Sequence, residues 1–255
     1  MMAPISAVVI CYNEARRIGQ CLQSLAWANE VVVVDSGSTD GTQEVCQKHT
    51  DKVFYVPFVN FPRQRNAAMA LASFDWIFFL DADEEVEGPL REELLALTLN
   101  LSDGGPAAWS APRRNIIWGA WVQGGGWYPD YQVRLLDRRR CRYDETRAVH
   151  EVVQVEGDKG YLQRDLLHHN YQSLGQFLEK QDRYANLYAK TLHDIGVQPR
   201  FRSLLGQPLR EFIRRYITTG GWRDGWRGLA LAGLLAYYQW LAYWRLRRIQ
   251  PTRRT

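Results

Sequence analysis

The chain has 255 residues, 46% hydrophobic and 24% charged, so it is long enough to bury a substantial core and too apolar to be disordered. A formal net charge of +4 does not mark a nucleic-acid binder, although acidic residues gather early in the chain and arginines late. Cys11, Cys21, Cys46 and Cys141 show no CxxC pair or histidine spacing for zinc, and MMAPISAVVI lacks the basic start and cleavage region of a secretory signal. Reduced thiols in a cytosolic protein are therefore expected.

In chain order, ISAVVIC (5–11) predicts a buried strand and Tyr12-Asn13-Glu14 a turn. Ile18, Cys21, Leu22 and Leu25 then fall at helical spacing within 15–26. EVVVV (30–34) predicts a second strand, DSGSTDGT (35–42) a turn, and a short helix runs through Val45. A strand is expected at 53–56, a helix over 63–72 and a strand from Trp76 to Leu80. Strands alternating with helices imply βαβ units and a mostly parallel sheet, and runs of Val and Ile without polar alternation imply strands covered on both faces.

Further on, AAWSA, QVRLL and EVVQVEG are strand-like pieces interrupted by Trp118, Trp121 and the turn GGGWYPD. The pattern turns helical from Gln172. Residues 228–244, GLALAGLLAYYQWLAYW, carry no charge and are flanked by arginines. A spanning helix needs about 20 apolar residues, so an interfacial helix is expected, with a soluble packing helix as the alternative.

Ligands of such sheets bind at the carboxyl ends of the strands. The polar residues at those ends are Asn13-Glu14, Asp35-Ser36 and Asp81-Ala82-Asp83. Asp81, Asp83, Glu84, Glu85 and Glu87 place five carboxylates within seven positions, as a solvated acidic turn or a site for a cation. The D-x-D pair can reach a hard cation, with substrate phosphates completing its shell, or divide a ribose and a metal between them. Glu84, Glu85 and Glu87 read as the acidic first turn of the next helix. Asp35, ending a buried strand, is placed to accept a base N–H, and Ser or Asp in its loop to cap the helix after Gly41.

Together and in this order, VVICYNEARRIGQCLQSL, EVVVVDSGSTDGT and WIFFLDADE resemble family-two glycosyltransferases of the GT-A fold, over about residues 5–170. GGWYPDYQVRLL, the VHE tripeptide and the helical tail are similar to the branch of lipopolysaccharide-core β-glucosyltransferases. The resemblance implies a Rossmann-like α/β domain over 1–170 and a helical, membrane-associating extension over 171–255. It implies an inverting transfer from a nucleotide sugar, a UDP-hexose such as UDP-glucose, to a lipid-linked saccharide with Mg²⁺ or Mn²⁺, by an enzyme peripheral on the inner face of the cytoplasmic membrane. Asn13, Glu14, Asp35 and Ser36 would contact the donor, Asp35 its base. Asp81 and Asp83 would hold the ribose and the metal–diphosphate, and Arg63 and Arg65 would contact nucleotide or phosphate.

Asp130 would be the catalytic base, with Glu151 as runner-up, because two extra residues separate Asp130 from Arg134-Leu135 compared with some relatives. His150 would be a third metal ligand, and His168 and His169 diphosphate or acceptor contacts. Trp118, Trp121, Trp127 and Tyr128 would form an acceptor platform, although aromatic residues of a core look the same. The rival classes are a nucleotidyltransferase, which usually carries a Gly-rich basic loop that ICYNEA lacks, and a non-catalytic sugar- or lipid-binding descendant, which should have lost the D-x-D or the base. No nucleic-acid partner is expected, and the oligomeric state is open.

Overall fold

The computed structural model describes residues 2–102, 104–146, 152–198 and 201–249. They form two compact units, residues 1–113 with 130–168, and residues 114–129 with 169–255. The division is not the linear one after residue 170, because the segment carrying Trp118, Trp121, Trp127 and Tyr128 belongs with the C-terminal helices.

The first unit is built on β1 (Ile5–Cys11), β2 (Glu30–Asp35), β3 (Val53–Tyr55) and β4 (Trp76–Asp81), in the order β3-β2-β1-β4 and all parallel. Side chains of a strand point alternately to its two faces, so each apolar run supplies two cores. Ala7, Val9, Phe78 and Leu80 pack on one face with α1 (Ile18–Gln23) and, from α4 (Gly88–Thr98), Leu90 and Leu94. Val8, Ile77 and Phe79 pack on the other with Ala68 and Met69 of α3 (Phe61–Leu71). Between α1 and α3 the chain also forms the single turn of α2 (Thr42–Cys46).

Beyond β4 the sheet ceases to be parallel. β8 (Tyr131–Asp137) runs antiparallel to β4, and β6 (Ala108–Ile117) antiparallel to β8. The two-residue β5 (Glu84–Glu85) pairs antiparallel with β12 (Leu166–Tyr171). β9 (Cys141–Tyr143) and β10 (Val153–Val155) make a hairpin, and β11 (Lys159–Tyr161) lies parallel to β6. β1 is flanked by β2 and β4, so the strand order reverses there, where open α/β sheets form their ligand crevice.

In the second unit, β7 (Ala120–Trp121) pairs with the end of β6, and the helices are α5 (Leu174–Asp194), α6 (Phe201–Ile213) and α7 (Gly225–Arg248). Ser173 caps α5 by accepting from Gln176 N at 3.2 Å, while Gln176 Oε1 accepts from Gln172 N at 2.9 Å, a reciprocal capping arrangement. The charge-free run belongs to α7, which buries Leu231, Ala232, Ala236, Leu241, Ala242, Tyr243 and Leu246. Its apolar character is thus used for packing against α5 and α6. Among the described residues no helix is long and apolar enough to cross a membrane.

The second unit exposes, among other apolar side chains such as Trp226, Leu229 and Tyr237, a ridge on α6 and the π-helical turn after it. Phe201, Leu205, Leu209, Ile213 and Ile217 recur every four residues and all are exposed.

The start of α7 is close-packed at a glycine. A Cβ on Gly228 would collide with the carbonyl oxygen of Gly221, a backbone atom that cannot swing aside. Gly228→Ala should therefore destabilise the chain by about 1–3 kcal/mol, as overpacking does, measured by urea unfolding. Gly233→Ala, with open space at its Cβ, should be neutral or stabilising.

Candidate active site

The ends of β1 and β2 are tied together by their own turns. Asn13 adopts a left-handed φ of 55°, which an Asn tolerates better than most residues. Its side-chain oxygen accepts from Thr39 N at 2.9 Å and its backbone N donates to Ser38 Oγ at 2.8 Å. Glu14 N donates to Thr42 Oγ1 at 2.8 Å, and Ala15 N to Asp40 Oδ2 at 3.1 Å. Within this clasp Asp35 is fully buried; Oδ2 accepts from Gly37 N at 3.0 Å, Ser38 N at 2.9 Å and Gln43 Nε2 at 2.7 Å, while Ser38 Oγ donates to Oδ1. Burial pushes this carboxyl up, but the bonds from Ser38, Gln43 and Gly37 prevail and hold it below the usual carboxylate value. Ser36 Oγ accepts from Gln64 Nε2 at 3.1 Å.

At the end of β4 the acidic cluster is interleaved with arginines. Asp81 Oδ1 meets Arg65 Nη2 at 2.9 Å and Oδ2 meets Arg134 Nη2 at 2.7 Å. The same Arg134 nitrogen reaches Glu84 Oε1 at 2.5 Å, and Glu84 Oε2 accepts from Asp81 N at 3.1 Å. Burial raises the Asp81 carboxyl, and Arg134 and Arg65 overcome that to keep it well below its ordinary value. Glu84 moves the other way, raised by burial and by Asp81 against the pull of Arg134.

Two expectations are corrected here. Glu84 is not part of a solvated helix start: it is fully buried in β5, and α4 begins only at Gly88. Arg65 is 6% exposed, spent on Asp81 and packed over the rings of Phe79 (5.2 Å) and Tyr143 (5.7 Å), so it braces the site rather than reaching out to a phosphate. Arg63 is exposed, 3.4 Å from Glu145.

Asp83 lies in the turn between β4 and β5. Its Oδ2 is 3.5 Å from Nε2 of the buried His168, on β12, and 3.8 Å from Arg17 Nη1. A carboxylate oxygen and an imidazole nitrogen converging at this distance fit two positions of a divalent cation, and the mixed donor pair favours Mn²⁺ over Mg²⁺, which prefers oxygen. Among the described residues no group of three or more such side chains is found. His150 and Glu151 lie outside the described residues.

Asp130, immediately before β8, is held by Arg113, whose Nε and Nη2 donate to Oδ2 at 2.8 and 2.5 Å. Gln132 Nε2 donates to Oδ1 at 2.8 Å. Sequence reading missed Arg113 and the Asp83–His168 pairing, and it named Arg134 and Glu84 without foreseeing that they pair in the interior. The available signal for Arg134 was a single arginine inside the apolar strand run VRLL.

The other expected residues lie in the second unit. Trp118 stacks on Trp226 at 5.9 Å and packs edge-on against Phe177, and Trp127 packs on Tyr171. Both border the apolar cluster of Ile117, Val122, Phe177 and Leu231. These two rings are packing groups, not an open platform. Trp121 and Tyr128 pair edge to face at 5.3 Å, with Trp121 36% exposed. His169 lines an open cleft of about 290 Å³ with Ile116, Gly119, Tyr171 and Gln172.

Arg134→Met should leave the fully buried Glu84 and the partly exposed Asp81 as neighbouring carboxylates without their shared cation. Breaking a buried pair in this way costs about 3–5 kcal/mol, which urea unfolding would register, whereas Arg63→Met at the exposed Glu145 pair should cost under about 1 kcal/mol.

The glycosyl transferase family 2 model matches residues 6–124. The lipopolysaccharide core biosynthesis glycosyltransferase LpsC of Rhizobium meliloti (strain 1021) is 34% identical over 252 residues, 93% of this chain and 90% of that protein. Among solved structures, mannosyltransferase PcManGT from Pyrobaculum calidifontis, in complex with GDP-Man and Mn²⁺, shares the fold with a TM-score of 0.53 at 16% identity, covering 97% of this chain and 88% of that one. S. aureus TarS 1-349 in complex with UDP gives a TM-score of 0.50 at 16% identity, covering 96% and 89%. The acidic end of β4, the clasped ends of β1 and β2, and likeness along nearly the whole of a relative lead to one conclusion: the chain belongs to glycosyl transferase family 2 and is a glycosyltransferase.

Proposed function

We propose that this glycosyltransferase is metal-dependent and inverting, and that it moves a hexose, glucose from UDP-glucose as first choice, onto a lipid-linked saccharide such as the lipopolysaccharide inner core. The observation that carries the reading is the grouping, in one unit, of Asp83 and His168 beside Asp81, with Asp130 before the neighbouring strand β8. The relative named for lipopolysaccharide core biosynthesis supports the acceptor class.

The donor would lie across the carboxyl ends of β1, β2 and β4, its base near Asp35 and its ribose near Asp81. Since Asp35 already accepts from Gln43 and Ser38, a base N–H would take the place of one of these donors. A divalent cation held by Asp83 and His168 would neutralise charge on the departing diphosphate. Asp130 would take the proton of the acceptor hydroxyl as that oxygen attacks the anomeric carbon on the face opposite the diphosphate, which inverts the centre.

Calorimetry with UDP and Mn²⁺ tests the donor half. Asp83→Ala should lose the metal-dependent part of the binding, and undiminished binding overturns the assignment. Asp130→Asn should keep UDP affinity yet lose about 10²–10⁴-fold in transfer. Intact-mass analysis of core oligosaccharide from deletion and wild-type cells identifies the sugar, because the missing residue reports its own mass.

Attachment to an anionic membrane surface on the cytoplasmic side completes the reading. The exposed ridge Phe201, Leu205, Leu209, Ile213 and Ile217, flanked by Arg202, Arg210 and Arg214, has the composition of an interfacial helix face: apolar insertion with cations at headgroup level. The full chain should float with vesicles containing anionic lipid, and high salt should weaken this only in part. The double substitution Leu205→Glu, Leu209→Glu should leave the protein at the bottom with its fold intact. Flotation equal to wild type in that variant would remove α6 as the contact.

A further inference from the structure

We propose that Arg113 is the positioning residue for Asp130: braced by the buried Glu84, it keeps that carboxylate ionised and aims it. The role rests on the reading of Asp130 as base. Three contacts fix the pair. Arg113 N donates to the Asp130 carbonyl oxygen at 3.0 Å, so the backbones are joined just where β6 and β8 meet. Nε and Nη2 of the same arginine donate to Oδ2 at 2.8 and 2.5 Å. The remaining guanidinium nitrogen, Nη1, stands 3.7 Å from Glu84 Oε1, on a side chain with no exposure at all. Arg113 is thus held at both ends, by Asp130 in front and by Glu84 behind.

The pair closes a longer series. From Arg65 through Asp81, Arg134, Glu84 and Arg113 to Asp130, cation and anion alternate without a break. Its members come from α3, β4, β8, β5 and β6, so the orientation of Arg113 is set by several elements rather than by one side-chain rotamer. Gln132 adds a neutral bond to Oδ1 at 2.8 Å, beside the charged contact from Arg113 to Oδ2. Among the described residues, charged groups facing the pair include Glu84, behind Arg113, then Arg134 and Asp81; His168 on β12 is a titratable group that also acts on Glu84.

A guanidinium in direct contact lowers an aspartate pKa by about 1–3 units. An ionised base is the form that accepts the proton, so the arginine extends activity to lower pH, and its fork fixes which way Oδ1 and Oδ2 point. Removing the charge must raise the titration midpoint of Asp130 and carry the acidic limb of the rate profile upward with it.

The test is ¹³C NMR of aspartate side-chain carboxyls in the full-length chain, with Asp130 assigned by the signal lost in Asp130→Asn. It needs neither donor nor acceptor. Arg113→Gln should raise the Asp130 midpoint by about one unit or more, a tenfold gain in proton affinity. Arg113→Lys, which keeps the charge but not the fork, should leave the midpoint near wild type while slowing transfer measured with UDP-glucose and extracted core lipid. An unmoved midpoint in Arg113→Gln overturns the proposal, as does an equal rise in Arg113→Lys. If Arg113→Gln does not fold, Arg113→Lys still decides through its rate: unchanged transfer overturns the aiming role. The reading of the base fails separately, by full transfer activity in Asp130→Asn, whereas an inactive Asp130→Asn with an unmoved midpoint in Arg113→Gln overturns Arg113 alone.

Discussion

Arg134 reaches Asp81 at 2.7 Å and Glu84 at 2.5 Å from a guanidinium that is almost wholly buried. Two carboxylates this close to each other, one of them cut off from water altogether, cannot both stay charged unless a cation lies between them. The residues between them, Ala82 and Asp83, form the turn that presents the Asp83 carboxylate. The turn is closed by the bond from Asp81 N to Glu84 Oε2 at 3.1 Å. The direction of Asp83 therefore depends on Glu84 being inside, and Glu84 is inside because Arg134 is. The same glutamate braces Arg113, so one buried carboxylate is shared by the D-x-D turn and by the cation that holds Asp130.

Behind this end of the sheet, charge is balanced by packing as much as by pairing. Arg65 lies over the rings of Phe79 and Tyr143 and turns one N–H edge to Asp81. The clasp of Asn13, Ser38 and Thr39 works by hydrogen bonds alone and ties residues 25 and 26 positions apart. The site thus combines a rigid hydrogen-bonded rim at β1 and β2 with an ion-paired wall at β4, β5, β6 and β8. Preorganised groups of this kind need not rearrange when charge develops in a reaction, which is how enzymes gain most from electrostatics.

Much of the first unit was legible because its strands are nearly unbroken apolar runs. β1, β2 and β4 begin and end within a residue or so of their expected bounds, and the polar residues that follow them mark the strand ends. β12 was missed: LLHHNY carries two adjacent histidines, and neither periodicity nor turn residues set it apart from its surroundings. The run 228–244 was legible as a helix but not in its surroundings. A charge-free helix with Tyr, Trp and small residues suits a lipid interface and a protein core equally, and in this fold α5 and α6 cover it. A period-four apolar ridge on α6 is left uncovered, as are Trp226, Leu229 and Tyr237 of α7.

The sequence by itself determined the class of fold and the strand ends at which chemistry occurs. Side-chain alternation and strand–helix spacing are local properties, readable from neighbouring residues. Only the tertiary structure decided which charges share a partner. Arg134 lies 53 positions from Asp81 and 50 from Glu84, and Arg113 lies 17 from Asp130. Those distances along the chain are closed by β8 turning antiparallel to β4 and β6 to β8, a register set by the pairing of whole strands. Five carboxylates in seven positions look alike in a sequence; burial and the cations brought from other strands separate Glu84 from Glu87, because a charge tolerates the interior only where its counter-charge is carried in with it.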